Sequence, residues 1–363
     1  MAGAAGADAR GGPDAVRPSI DAACRLGPRA RASFPQGMPV GPALGVDIGG
    51  TKLAAACVGP DGAIRCARRV PTDVGADAES LFGELAALVH AVLDEANIDA
   101  AKGSTAGISG PAEAPAPVVC GVGSGGPMLP GGETVSPLNI PAWRGFPLRE
   151  RMEEVTGLAT YIDNDAKALA LAEGWRGAAA SQRDYMAMVV STGIGGGIVV
   201  DGRLVDGSSG NAGHVGHVTV EPGGRPCRCG ARGCLEAEAS GSAILEMTGR
   251  PAEEATAGVI ERTGTLVGRA VAMAAHLLDI RIAVVAGSVA LGFGAPFFEA
   301  AQAEIDARAR LEFARGVRIV PAGLGANGPI VGAAAVGWRG LGTWPPTPAA
   351  FCAQRRGDAR RSP

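Results

Sequence analysis

Four side chains that bind soft divalent metals fall within eighteen positions: His217, Cys227, Cys229 and Cys234. A Cys-x-Cys-x4-Cys run with a histidine upstream supplies the ligand set of a tetrahedral zinc. Gly230 and Gly233 permit the tight bends that turn three thiolates toward one point. Protein would fill all four positions, so the metal expected here is structural. Its binding would contribute to folding on the order of 10 kcal/mol. A disulfide, or ordinary loop cysteines, is the alternative.

Glycines carry a second chemistry. Asp47-Ile48-Gly49-Gly50-Thr51-Lys52 and, later, Ser191-Thr192-Gly193-Ile194-Gly195-Gly196-Gly197 each set a glycine turn between apolar runs. Such turns present backbone N–H groups with no side chain in the way, which suits phosphate oxygens. Each alone also serves as a plain tight hairpin; the pairing of the two points to a nucleotide. Asp47 stands where it would hold magnesium through water, and the hydroxyls of Thr51 and Thr192 can donate to phosphate. Gly287, closing a late apolar run, is a further candidate on the phosphate side. The pattern is not a Walker loop, because no Gly-Lys-Ser/Thr follows at the required spacing. Gly121-Val122-Gly123-Ser124-Gly125-Gly126 matches the dinucleotide fingerprint, but Pro127, Pro130, Gly131 and Gly132 forbid the helix that would carry the pyrophosphate.

Asp163-Asn164-Asp165 ends one apolar run and opens a helical one. Asp165 suits an N-cap there. Facing phosphates, it would instead accept the proton of an attacking hydroxyl. With an ordinary pKa of about 3.9, it would act mainly by aligning the nucleophile. Lys167, on the same helix, is expected to face solvent.

The elements that must position these groups repeat. Strands over 44–47, 52–58 and 64–70 lead to a helix over 77–96, where Leu81, Leu85, Leu88, Val89 and Val92 keep a helical period. A strand over 104–108 runs into Ser109-Gly110-Pro111, and a Pro- and Gly-rich loop reaches Trp143. A helix over 146–156 and a strand over 160–162 follow. A strand over 185–190, the glycine turn 191–197 and a strand over 198–200 restate the opening. Helices over 237–247, 252–262 and 266–278, a strand over 282–286, a helix over 296–310, a strand over 317–321 and a helix over 330–338 complete the pattern. It reads as two related α/β halves facing one another across a cleft.

Composition sets the outer bounds. The chain has 363 residues, 47% of them apolar, with a net charge of −3. That is enough for two cores, and it offers no basic surface for nucleic acid. No run approaches the ~18 apolar residues of a membrane span. A cytoplasmic protein is expected. Cys57, Cys66 and Cys120 sit in apolar runs as small core residues. His90 and His276 lie on helices as surface or satisfied core residues. Residues 1–42 and those after 342 are expected to be disordered, with Met38 as the natural start.

The motifs quoted above, together with Cys227-x-Cys229-Gly230-x-x-Gly233-Cys234-x-Glu236, resemble the ROK family of bacterial sugar kinases and sugar-responsive repressors over about 44–342. The resemblance implies the actin-like ATPase (ribonuclease H-like) fold, two-lobed with a central cleft. Residues 43–163 would form one lobe, completed by a C-terminal helix at 329–342, and 164–328 the lobe with the zinc motif. It further implies ATP and magnesium as co-reactants, a hexose as acceptor, and a homodimer or homotetramer. By position, Asp165 is similar to the family's catalytic base and Asn164 to a sugar contact. His217 matches a histidine that both ligates zinc and touches the sugar, and Glu236 a carboxylate that hydrogen-bonds it. Gly110 and Asn139 match loops bordering the sugar. Most kinase members carry glutamate three residues before the zinc histidine, and here that position is His214. An imidazole donates at one nitrogen and accepts at the other, whereas a carboxylate only accepts, so sugar preference should change.

The activity implied is ATP-dependent phosphorylation of a hexose at the 6-hydroxyl, glucose first. N-acetylmannosamine, N-acetylglucosamine, mannose, fructose and allose are the alternatives, and polyphosphate is an alternative donor. A repressor would need a DNA-binding helix-turn-helix ahead of the kinase-like part, and residues 1–42 show no paired amphipathic helices.

Overall fold

The computed structural model describes residues 41–104 and 116–343. Gly110, the strand expected over 105–108 and the readings of residues 1–40 and of the C-terminal tail lie outside the described residues. Ser104 itself closes a helix.

The first sheet forms from β1 (Ala43–Ile48), β2 (Lys52–Val58), β3 (Ile64–Pro71), β4 (Val119–Ser124) and β5 (Thr160–Asn164), with α1 (Ala78–Ser104) and α2 (Leu148–Thr156) between them in sequence. Its order is β3-β2-β1-β4-β5. The β1–β2 and β2–β3 pairs are antiparallel, and β1–β4 and β4–β5 are parallel. After α3 (Asp165–Arg176) the chain builds a second sheet from β6 (Tyr185–Val190), β7 (Ile194–Val200), β8 (Arg203–Leu204), β9 (Ile282–Ala286) and β10 (Arg318–Pro321). Around it lie α4 (Leu235–Ala239), α5 (Gly241–Thr248), α6 (Ala257–Leu278), α7 (Ser288–Phe293), α8 (Ala295–Arg308) and α9 (Gly328–Gly340). This sheet runs β10-β9-β6-β7-β8, again an antiparallel hairpin series continued by parallel strands. Both sheets therefore follow one plan, as the repeated turn motif indicates.

Two helices join them. α9 packs on β1 and β4, α3 packs on β6 and β7, and α3 and α9 pack on each other. Trp175 of α3 meets Trp338 of α9 edge to face, with ring centroids 5.2 Å apart. Glu173, fully buried at the end of α3, is held by the N–H groups of Ala178, Gly323 and Leu324, so its charge is met by three donors.

One expected loop is an interior strand of the first sheet. Val119–Ser124 is buried at every position and pairs with β1 and β5. Its glycines look like loop residues in sequence. In the fold they admit a helix backbone: a Cβ at Gly121 would lie 1.9 Å from the carbonyl oxygen of Ala333 on α9. Two helical readings also change. The segment from 237 to 247 divides at Ser240, whose hydroxyl accepts the Ala243 N–H and caps α5. The helices expected over 252–262 and 266–278 become a short 3-10 turn at Ala252–Glu254 followed by one continuous α6 from Ala257, which packs on α8.

Candidate active site

The site gathers where β1, β4 and β5 end. Ile48, Ser124 and Asn164 stand in register across these strands, so the segments that follow them leave the sheet side by side. Asn164 is the N-cap of α3: its Oδ1 accepts the Ala166 N–H at 3.0 Å. Asp165 is thus the first helical residue rather than the cap, and its Oδ1 shares the same N–H at 2.8 Å. Burial raises the Asp165 carboxyl above the ordinary range, against the Ala166 N–H and the nearby His214, which pull it down. Asp47, at the end of β1, is pushed up to about 7 by burial and by the charge of Asp165, with Lys52 opposing. Two carboxylates therefore share one partly dry pocket, an arrangement that a divalent cation relieves.

On the acceptor side, the turn Gly125-Gly126-Pro127 leaves β4 and passes between three polar side chains. A Cβ at Gly126 would lie 3.6 Å from Nδ2 of Asn164 and 3.7 Å from Cε1 of His214, and one at Gly125 would lie 3.4 Å from Oδ1 of Asn139. The sequence reading missed this turn. Its signal in the sequence is an apolar run ending in Gly-Gly-Pro, which overlaps the false fingerprint. Burial and the neighbouring His217 hold His214 below the usual imidazole range, so it faces the pocket neutral. Glu236, on the first turn of α4, accepts the Ile194 N–H through Oε2 at 2.9 Å. That bond ties the segment following the cysteine cluster to the turn between β6 and β7.

The phosphate candidates lie on two turns. In the first, the Gly49 N–H donates to Lys52 O at 3.0 Å and the Thr72 hydroxyl to Gly49 O at 2.7 Å. Asn139 covers Gly50, where a Cβ would come within 2.7 Å of its amide nitrogen. Thr51 is exposed at the tip. In the second, the turn proper is Ser191-Thr192-Gly193, with Thr192 exposed. The N-terminal amides of α5 donate to it, Gly241 to Ser191 O and Ser242 to Thr192 O. Ser191 Oγ lies 3.0 Å from Ser288 Oγ, which places Gly287 (φ 104°) and the start of α7 beside the turn. Gly195 does not belong to this turn. It is within β7, where a Cβ would lie 3.1 Å from that of Ala166, so it makes room for α3.

The ligand atoms of His217, Cys227, Cys229 and Cys234 all lie within 4.8 Å of one another. Nδ1 of His217 is 3.6 Å from Sγ of Cys227, and the Sγ atoms of Cys229 and Cys234 are 3.7 Å apart. Tetrahedral zinc with Zn–S bonds of ~2.3 Å has edges of about 3.8 Å, so the four donors fit that ion. A disulfide between Cys229 and Cys234 would need an S–S distance of about 2.05 Å. The Ala231 N–H holds the Cys229 thiol below its ordinary range, while burial pushes Cys234 up to about 12. Glu238 braces the cluster from behind. It accepts the Arg225 N–H and pairs with Arg262 of α6 while remaining buried.

Two expectations are corrected here. Lys167 is not solvated: it is 2% exposed and pairs with Asp163 and Asp206. Of the two readings offered for His276, the satisfied-core one falls, because its Nε2 has no hydrogen-bond partner among the described residues, while the residue itself is half-buried at the surface. His90 is exposed and meets Val155 O at 3.2 Å.

The fold is that of solved sugar kinases. The family model described as ROK family matches residues 43–338, and the chain belongs to that family. The N-acetylmannosamine kinase of Escherichia fergusonii is 36% identical over 266 residues, covering 69% of this chain and 84% of that protein. Among solved structures, the ROK hexokinase from Thermus thermophilus superposes with a TM-score of 0.69 at 29% identity, over 83% of this chain and 99% of that one. The ROK family glucokinase from Streptomyces griseus, solved in complex with glucose and AMPPNP, gives 0.68 at 27% identity, over 82% and 100%. No described helix is long and apolar enough to cross a membrane.

Proposed function

We propose that the chain transfers the γ-phosphoryl group of ATP to the 6-hydroxyl of N-acetylmannosamine. The observation that carries this reading is the carboxylate of Asp165, set at the start of α3 beside His214 and within reach of the charge on Asp47. Oδ1 of Asp165 is engaged by the Ala166 N–H, which leaves Oδ2 to accept the hydroxyl proton. As the sugar oxygen bonds to the γ-phosphorus, the bond to the bridging oxygen of ADP breaks and the proton passes to Asp165. The raised pKa of this carboxyl makes it a better base than an exposed aspartate. The turns 49–51 and 191–193 would hold the nucleotide phosphates. A magnesium ion held through Asp47 would neutralise phosphate charge. Zinc on His217, Cys227, Cys229 and Cys234 would fix the segment between His214 and Glu236.

The sugar moves from glucose, ranked first on sequence, to N-acetylmannosamine for two reasons. The curated relatives that match at 36% carry that activity in their names. A neutral His214 can also donate to an acyl carbonyl, whereas a glutamate cannot. A homodimer or homotetramer is part of the proposal, read by light scattering of the purified protein.

A coupled ADP-release assay over N-acetylmannosamine, glucose, mannose, N-acetylglucosamine, fructose and allose should give the highest kcat/KM for the first. A higher value for glucose restores the original ranking, and turnover of no sugar sinks the kinase reading. Asp165→Asn should lower kcat by at least ~10² while calorimetry still detects sugar binding. Full turnover in that variant removes Asp165 as the base.

A further inference from the structure

Lys167 is a buried cation met by three acceptors, and the reaction proposed above does not use it. Its ammonium, 2% exposed, meets Asp163 Oδ1 at 2.8 Å, Asp206 Oδ1 at 2.9 Å and Gly210 O at 3.1 Å, so three donors meet three acceptors. The remaining carboxylate oxygens go to one guanidinium: Arg339 lies 3.3 Å from Asp163 Oδ2 and 2.6 Å from Asp206 Oδ2. Two cations and two anions close a ring across four elements, namely β5, α3, α9 and the loop after β8.

That loop is what the ring holds. Residues 205–213 leave the edge of the second sheet, are gripped by Lys167 at Asp206 and again at Gly210, and then deliver His214 to the sugar side. The Ala212 N–H donates to Asp206 O at 3.0 Å, which closes the loop on its own root. Asn211 reaches Met128 O at 3.3 Å, just past the Gly125-Gly126-Pro127 turn. A well-packed apolar residue at 167 is often no less stabilising than a buried ion pair. What the ring adds is one definite geometry for the loop.

Resting on the sugar-kinase reading above, we infer that Lys167 is a positioning residue for the acceptor sugar, acting through Asp206 and Gly210 to seat the loop that presents His214. Lys167→Met and the milder Asp206→Asn test this in the full chain, and Asp206→Asn carries the test if the first variant does not fold. Peptide-level hydrogen exchange needs no turnover. Exchange across residues 205–214 should speed up while peptides from α6 and α8 keep wild-type protection. Unchanged exchange in that loop overturns the inference, whether or not any sugar is phosphorylated. In kinetics, sugar KM should rise about 3- to 30-fold, with ATP KM unchanged. In a His214→Ala background the same substitution should add less than twofold. Full additivity with His214→Ala, or an equal rise in ATP KM, would assign Lys167 a merely structural role. Wild-type enzyme that turns over no sugar would refute the kinase reading and leave the exchange result to decide this one.

Discussion

Gly197→Ala tests how the second sheet sets the position of the proposed base. A Cβ at Gly197 would lie 2.7 Å from Cβ of Ala170, 2.8 Å from the carbonyl oxygen of Ala166 and 2.8 Å from Cα of Lys167, all on α3. Relaxed contacts of this kind lie near ~3.5–4.0 Å, so α3 must retreat from β7 by roughly 1 Å. Asp165 precedes Ala166 on the same helical turn and moves with it. Overpacking of this kind costs ~1–3 kcal/mol of stability. A displacement of about 1 Å in an aligned reaction costs ~10² in rate. The expected result is a kcat for ADP release lowered about 10²-fold, with a urea midpoint shifted by the smaller amount that overpacking implies. Gly258→Ala, at a position with open space around it on α6, is the control and should leave kcat in place. A folded Gly197→Ala protein with wild-type kcat would show that the α3–β7 contact does not set the geometry of the base.

Three further outcomes are expected. Purified protein should release one zinc per chain on titration of its thiols, and Cys229→Ser should abolish the bound metal and lower both thermal stability and kcat/KM; a metal-free variant of full activity would contradict the structural role. In magnesium-free buffer, Asp47 holds its proton more tightly when folded, near 7, than when unfolded, at 3.8. Its contribution to stability is therefore complete below pH 3.8 and is lost as pH rises to about 7. That difference corresponds to about 4 kcal/mol. Urea unfolding of Asp47→Asn across that range should be correspondingly flatter, and an unchanged slope would refute the assignment. Glu236→Gln keeps an acceptor for the Ile194 N–H, so its melting temperature should stay close to wild type while sugar KM rises; unchanged KM would remove Glu236 from the sugar site.

Much of the architecture is local and can be read from a linear chain. The bounds of β2, β6 and β9 follow from apolar runs closed by turns. The repeated glycine hairpin announces two sheets of one plan, because turn chemistry acts over four or five residues. The cluster of His217 with Cys227, Cys229 and Cys234 is legible for the same reason: the three cysteines fall within eight positions. Packing decided the rest. β4 reads as loop because Gly121 has no side chain to report, and its reason for being glycine is α9, more than two hundred residues away in sequence. The Gly125-Gly126-Pro127 turn was hidden with it. Lys167 reads as a surface residue because its partners Asp206 and Arg339 come from distant segments. Helical spacing tells which residues share a face, but only the folded chain brings opposite charges from four elements to one point and excludes water from them.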